Sequence, residues 1–209
     1  LARPTKASPR STKAWAKFDD FLTLGDRQLE RMKDEAVSFT DDLLNDRAPR
    51  WLSLLGTSGA GKTMLAKRIA RLFREHRAGK IDWPRTERTR SEAFPYGRII
   101  TWKGGFINWG VALNERMMTG DYVFLQDMRA FDLFVIDDIL SEYEKHRSLS
   151  ASKLYYVFEG RLGKWTVITA NASLREIGEL LDARIASRML RDGGVVVDVD
   201  VPDYNLRAK

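Results

Sequence analysis

Cysteine is absent from the 209 residues. That excludes disulfides and thiolate metal sites and fits a cytoplasmic protein. Histidine is scarce: His76 and His146 are too few for a histidine-based metal centre, and both lie in charged stretches where a solvated surface position is expected. Long apolar runs are missing as well. No stretch approaches the roughly 20 residues needed to cross a bilayer, and the N-terminal stretch lacks the apolar core of a signal peptide. No membrane association is expected. The chain does not begin with Met, which leaves room for sequence upstream.

Charge of one sign is in excess, but unevenly. The formal net charge is +6, and Arg3, Lys6, Arg10, Lys13 and Lys17 all precede the first acid, Asp19, leaving +1 for the remainder. With Pro4, Ser8, Pro9 and Ser11 among them, residues 1–16 are expected to form a flexible basic tail. It is either an arm for nucleic acid or an acidic partner, or a solvated linker. The body, residues 17–209, is expected to be one domain and is not a strongly basic surface.

What is present is a glycine loop of defined spacing. Gly56-Thr57-Ser58-Gly59-Ala60-Gly61-Lys62-Thr63 follows the apolar run Trp51-Leu52-Ser53-Leu54-Leu55 and opens a helical pattern in which Leu65, Ile69, Leu72 and Phe73 share a face. Strand, G-x-x-x-x-G-K-T loop and helix make a P-loop. Its backbone N–H groups turn inward to cradle a polyphosphate at the positive end of the helix. Lys62 reaches the β- and γ-phosphates, and Thr63 offers its hydroxyl to Mg²⁺. A nucleotide such as ATP with Mg²⁺ is the expected ligand.

Along the rest of the chain, Leu29, Met32, Ala36 and Phe39 recur at helical spacing within residues 17–45. Residues 78–96 are charged and broken by Gly79, Pro84 and Pro95, hence a loop. Arg98-Ile99-Ile100-Thr101-Trp102 is the predicted second strand, ended by Gly104-Gly105. Phe106, Trp109, Leu113 and Met117 predict a helix, and Asp121 caps another running to Ala130. Leu133-Phe134-Val135-Ile136 is a buried strand, residues around Leu154, Tyr155 and Phe158 a helix, and Thr166-Val167-Ile168-Thr169-Ala170 the fourth strand. A helix over 174–190 and a strand over 195–201 complete the pattern. Alternation of this kind implies an α/β fold with a five-stranded parallel sheet flanked by helices.

The third strand ends in Asp137-Asp138, which places two carboxylates at the sheet edge where the P-loop turns. Asp137 is suited to hold Mg²⁺ and Asp138 to polarise an attacking water. Asn171 closes the fourth strand, where its amide holds that water or a γ-phosphate oxygen. Arg184-Ile185-Ala186-Ser187-Arg188 sets two arginines on one helical face, with Glu176, Glu179 and Asp182 nearby as surface partners.

Together these residues resemble the AAA+ ATPases, and within them the clade of DnaA initiators, DnaC-type helicase loaders and IstB transposition helpers. The resemblance rests on the GTSGAGKT loop, Ile136-Asp137-Asp138-Ile139, the Thr-Ala-Asn strand end, and Arg184 to Arg188 as the clade's box VII. It also includes the Phe18-Asp19-Asp20-Phe21 lead-in, and covers roughly residues 17–207. It implies an ATPase that assembles head-to-tail with itself, with Arg188 entering the neighbour's site. It further implies a replicative helicase or a transposase as partner. No C-terminal lid domain is expected, since nothing follows Lys209; Arg207 resembles the Tyr-Arg ending of loaders. The clade's insertion between second and third strands falls on residues 106–130. There Lys103 and Arg116 are candidate contacts to single-stranded DNA. Phe106, Trp109 and Tyr122 either stack bases or, as their helical spacing favours, pack in the core. Two further readings are a nucleotide-gated module with little turnover, and a small-molecule kinase with Arg85, Arg88 and Arg90 in a lid. The box VII pattern is foreign to the kinase.

Overall fold

The apolar run before the glycine loop forms β1 (Trp51–Gly56), and the loop feeds directly into α2 (Lys62–Arg77). In the computed structural model residues 16–81, 103–117, 122–142, 144–191 and 193–204 are described. Ahead of β1 lies α1 (Arg27–Leu44), started by Asp26, whose carboxylate accepts the Gln28 and Leu29 backbone N–H groups at 2.8 and 3.1 Å. The basic tail, the strand predicted at 98–102, the Asp121 cap, the Arg85/Arg88/Arg90 loop and Arg207 lie outside the described residues. The remaining strands are β2 (Gly104–Asn108), β3 (Leu133–Ile139), β4 (Trp165–Ala170) and β5 (Val195–Val199). Between them run α3 (Trp109–Ala112), which continues as a π-helical turn to Met117, α4 (Tyr122–Ala130), α5 (Arg147–Glu159), α6 (Leu174–Leu180) and α7 (Ala183–Met189).

All strand pairs are parallel, in the order β2-β3-β4-β1-β5. The expected sheet is therefore present, and β4 lies between the P-loop strand and the strand of the two carboxylates. Side chains alternate across each strand. Leu52, Leu54, Val135, Val167, Val197 and Val199 face α1 and α2, while Trp51, Leu55, Phe134, Ile136 and Ile168 face the helices of the opposite layer. Edge-to-face rings, Phe39 on Trp165 and Trp51 on Phe158, anchor the two layers. Among the described residues no helix is long and apolar enough to cross a membrane.

Five sequence expectations change. Gly104-Gly105 is not a break but the start of β2. A Cβ at Gly105 would stand 2.6 Å from the Phe134 ring, so the strand tolerates only glycine where aromatic rings press on it. The helical pattern there begins at Trp109 instead of Phe106. Residues 17–26 are mostly turns, and they lay Phe21 against the P-loop. The helix expected over 174–190 is two helices, because the Asp182 carboxylate accepts the Arg184 N–H at 2.7 Å and starts α7 afresh. Finally, His76 and His146 are half-buried rather than fully solvated.

At the end of the sheet remote from the P-loop, fully buried Arg161 donates to the carbonyls of Met128, Phe131, Asp132 and Trp165 and to the Thr166 hydroxyl, at 2.6–3.3 Å. Burial pushes its pKa down to about 9. This guanidinium holds the entries of β3 and β4 side by side and so aligns their far ends.

Candidate functional site at the carboxyl edge of the sheet

The P-loop has a shape only glycine permits at its last turn. Gly61 caps α2 with φ +91°, and a Cβ there would meet the Phe21 ring at 2.5 Å. On its other flank the loop is zipped to the residues after β5. The Thr57 hydroxyl donates to the Val201 carbonyl at 2.6 Å and accepts the Val201 N–H at 3.0 Å, and the Tyr204 N–H donates to the Gly59 carbonyl at 3.1 Å. The Thr57 side chain thus tethers the loop to the residues after β5. Thr57→Val should weaken nucleotide binding several-fold with little change in maximal rate, and Thr57→Ser should restore it. Titration calorimetry with each variant checks this.

Lys62 is buried, and its ammonium donates to the Gly56 and Thr57 carbonyls at 2.9 and 2.5 Å. Burial pushes its pKa down to about 8, only partly offset by Asp138, Asp198 and Asp137. A buried cation held by neutral carbonyls suits an incoming phosphate. The lowered pKa also works against the folded state while the ammonium is charged. That cost is felt below about pH 8 and relieved as pH rises toward the unfolded value. Phosphate should raise the pKa again. Binding of ATP near pH 8 is therefore expected to take up protons and to weaken at higher pH. Lys62→Ala should abolish the uptake and cut affinity by at least about tenfold, as for loss of a charge-assisted hydrogen bond. Calorimetry in buffers of different ionisation enthalpy reads both effects. Unchanged affinity would remove the loop from phosphate binding.

The start of α2 and the ends of β3 and β4 converge on one carboxylate. Asp137 Oδ1 accepts the Thr63 hydroxyl at 2.8 Å and the Thr169 hydroxyl at 2.8 Å. The Thr63 and Asp137 oxygens are the hard donors that Mg²⁺ prefers, so this pair fits that ion. Asp138 stands beside it in the left-handed region, with φ +62°. Its backbone N–H donates to the Thr169 hydroxyl at 2.8 Å, and the Asn171 amide donates to its Oδ1 at 2.9 Å. Burial raises the Asp138 pKa and the Asp137 charge adds to it, against Lys62 and hydrogen bonds from Asn108 and Ser141. A basic carboxylate held by an amide at a strand end can take a proton from water.

Lys62, Thr63, Asp137, Asp138 and Asn171 are thus brought together. Arg188 is held elsewhere in its own chain: it is 8% exposed, ion-paired with Glu159, donates to the Tyr155 hydroxyl at 2.9 Å and lies over that ring. Arg184, one turn earlier, is ion-paired with Asp182 with its side chain 64% exposed. Trp109 is buried, its indole N–H donating to Ser150 at 2.8 Å, so packing is its role. Phe106 is partly exposed under Lys67. Lys103 is exposed; the side chains of Arg116 and Tyr122 lie outside the described residues.

Sequence reasoning assigned no role to Thr169, Asn108 or Ser141. Asn108 pairs with Asp137 across β2 and β3, and its side chain accepts the Val111 N–H at 3.1 Å to start α3. Only the β2 register could have revealed it, and that register was hidden by placing a helix there.

No family model and no curated protein matches the chain. Solved structures do. The DnaC helicase loader aligns with TM-score 0.61 at 18% identity, over 91% of this chain and 100% of that one. DnaI aligns with TM-score 0.61 at 16% identity, over 94% and 93%. AMPPCP-bound DnaA from Aquifex aeolicus aligns with TM-score 0.60 at 13% identity, over 93% of this chain but 52% of its own, so this chain spans about half of that initiator. In fold, therefore, the chain is similar to DnaC, to DnaI and to about half of DnaA.

Proposed function

We propose that the protein is a cytoplasmic, Mg²⁺-dependent ATPase that acts as a DnaC-like loader of a replicative helicase. The observation that carries the ATPase reading is the junction of Thr63, Asp137, Thr169, Asp138 and Asn171 at the P-loop. The likeness in fold to DnaC and DnaI supports the loader reading.

The loop amides of residues 56–63 and Lys62 bind the phosphates, and Thr63 with Asp137 holds the metal. The bound ion supplies charge neutralisation on the phosphate oxygens. Asn171 and Asp138 orient a water in line with the γ-phosphorus, and Asp138 takes the proton as the new P–O bond forms and the bond to the β-phosphate oxygen breaks. Arg188 acts on the site of the next subunit in a head-to-tail assembly.

Two assays test this. Incubation with ATP and Mg²⁺ should yield ADP and phosphate without a phosphorylated acceptor. The protein should also co-elute with a replicative helicase hexamer and increase its deposition on single-stranded DNA. Co-elution with a transposase instead would select the IstB-like reading. A second reading, a nucleotide-gated module with little turnover, is favoured by the intramolecular hold on Arg188. It is distinguished by a phosphate-release rate that stays negligible at every protein concentration.

A further inference from the structure

Four residues beyond Asp138 stands a carboxylate that the mechanism does not use. Glu142 is 6% exposed, and neither of its carboxylate oxygens has a hydrogen-bond partner among the described residues. A buried carboxylate left in this state is strongly unfavourable. The turn that carries it is itself strained, since Asp138 and Leu140 are non-glycine residues at φ +62° and +70°. Ser141 ties the same turn to the hydrolytic carboxylate by its side-chain hydrogen bond to Asp138. It also presses on α3, where a Cβ at Gly110 would stand 2.5 Å from its hydroxyl. Two costs are therefore concentrated in one turn beside the site. Both fall if the turn relaxes and Glu142 meets a cation.

The chain offers such a cation on α7. Arg184 is largely exposed, and among the described residues it is held by Asp182, through its Nε and Nη2 groups, and by Tyr155, through a side-chain hydrogen bond and the ring. The guanidinium side of that pair faces solvent, where one carboxylate can be exchanged for another. Arg184 and Arg188 are one helical turn apart, about 6 Å along the axis. Glu142 and Asp138, at the edge of the site that Arg188 is proposed to enter, flank a single short turn. One docking of α7 against the carboxyl edge of a neighbour's β3 would serve both arginines.

We propose that Glu142 is the acceptor for Arg184 of a second copy of this chain, so that the site is complete only between two subunits. This rests on the head-to-tail reading given above. In the isolated chain Glu142 costs stability, and on assembly it is repaid by the guanidinium.

The test is to compare the unaltered chain with Glu142→Gln and Glu142→Met by thermal melting, ATP titration, and light scattering with a non-hydrolysable ATP analogue. Both variants should bind ATP normally. The Met variant should melt about 2–4 °C higher, because it removes the unpaired charge and keeps the volume. Both should need at least about tenfold more protein to assemble, as expected when one partner of a desolvated charge pair is removed. Arg184→Ala should show the same assembly defect, and Arg184→Ala with Glu142→Gln should be no worse than either alone. Additive losses would break the pairing, and variants that assemble like the unaltered chain would leave Glu142 no role between subunits. Lower melting of both variants would overturn the premise of an unpaired buried charge. An unaltered chain that stays monomeric with the ATP analogue would instead overturn head-to-tail assembly itself.

Discussion

Arg188→Ala is expected to bind ATP as the unaltered chain does yet lose about 10³–10⁵ in hydrolysis rate, the range of an arginine finger supplied by a partner. In its own chain Arg188 is fastened to Glu159 and Tyr155, not to the Asp137–Asp138 edge. Its service is therefore proposed at a neighbour's site, and the rate should rise with protein concentration as subunits associate. The remaining Glu159 is partly exposed and can be hydrated, so the fold should survive the substitution. Mixing Arg188→Ala with Lys62→Ala provides the decisive measurement. Each protein alone is inactive, but an intact loop in one can meet an intact arginine in the other, and part of the activity should return. Failure to recover, in a mixture shown by light scattering to co-assemble, would demote Arg188 to a role within its own chain.

Asp138→Asn should retain ATP within about threefold and lose about 10²–10⁴ in turnover, the usual contribution of a positioned general base. The substitution keeps the shape of the side chain and the metal carboxylate Asp137 while removing the proton acceptor. Because burial and Asp137 raise the Asp138 pKa, the acid limb of the rate profile should lie above that of an ordinary aspartate. A base must be ionised, so rate falls as pH drops through that value, and the limb should vanish in the variant. Phosphate release measured beside nucleotide titration resolves the two roles. If Asp137→Asn spares metal-dependent binding and stops only turnover, the assignments of the two aspartates are reversed.

Much of the site was legible because its parts are short and local. The glycine loop needs eight consecutive residues, and the carboxylate pair needs a strand that ends where its apolar run ends. Strand order followed from alternation only as far as "parallel". The position of β4 between β1 and β3 is a long-range choice that no local pattern records. The second strand was misplaced because Gly104 and Gly105 carry a breaker's composition, whereas here they make room for Phe73 and Phe134. Local propensity lost to packing. The same limit hid Asn108, whose role depends on its register beside Asp137.

By itself the sequence determined the candidate groups: a glycine loop with its lysine and threonine, two consecutive strand-end carboxylates, and a strand-end amide, each carried by residue type at fixed spacing. Tertiary structure alone decided which groups meet. It turned the Thr57 hydroxyl onto Val201, and made the Thr169 hydroxyl the link between Asp137 and Asp138. It also tied Arg188 to Glu159 and buried Glu142 without a hydrogen-bond partner among the described residues. The physical reason is the reach of the forces involved. Loop geometry and periodicity act over a few residues, whereas hydrogen-bond partners and desolvation are set by elements far apart in the chain, as in Thr169 with Asp137 and Thr57 with Val201 (separations of 32 and 144).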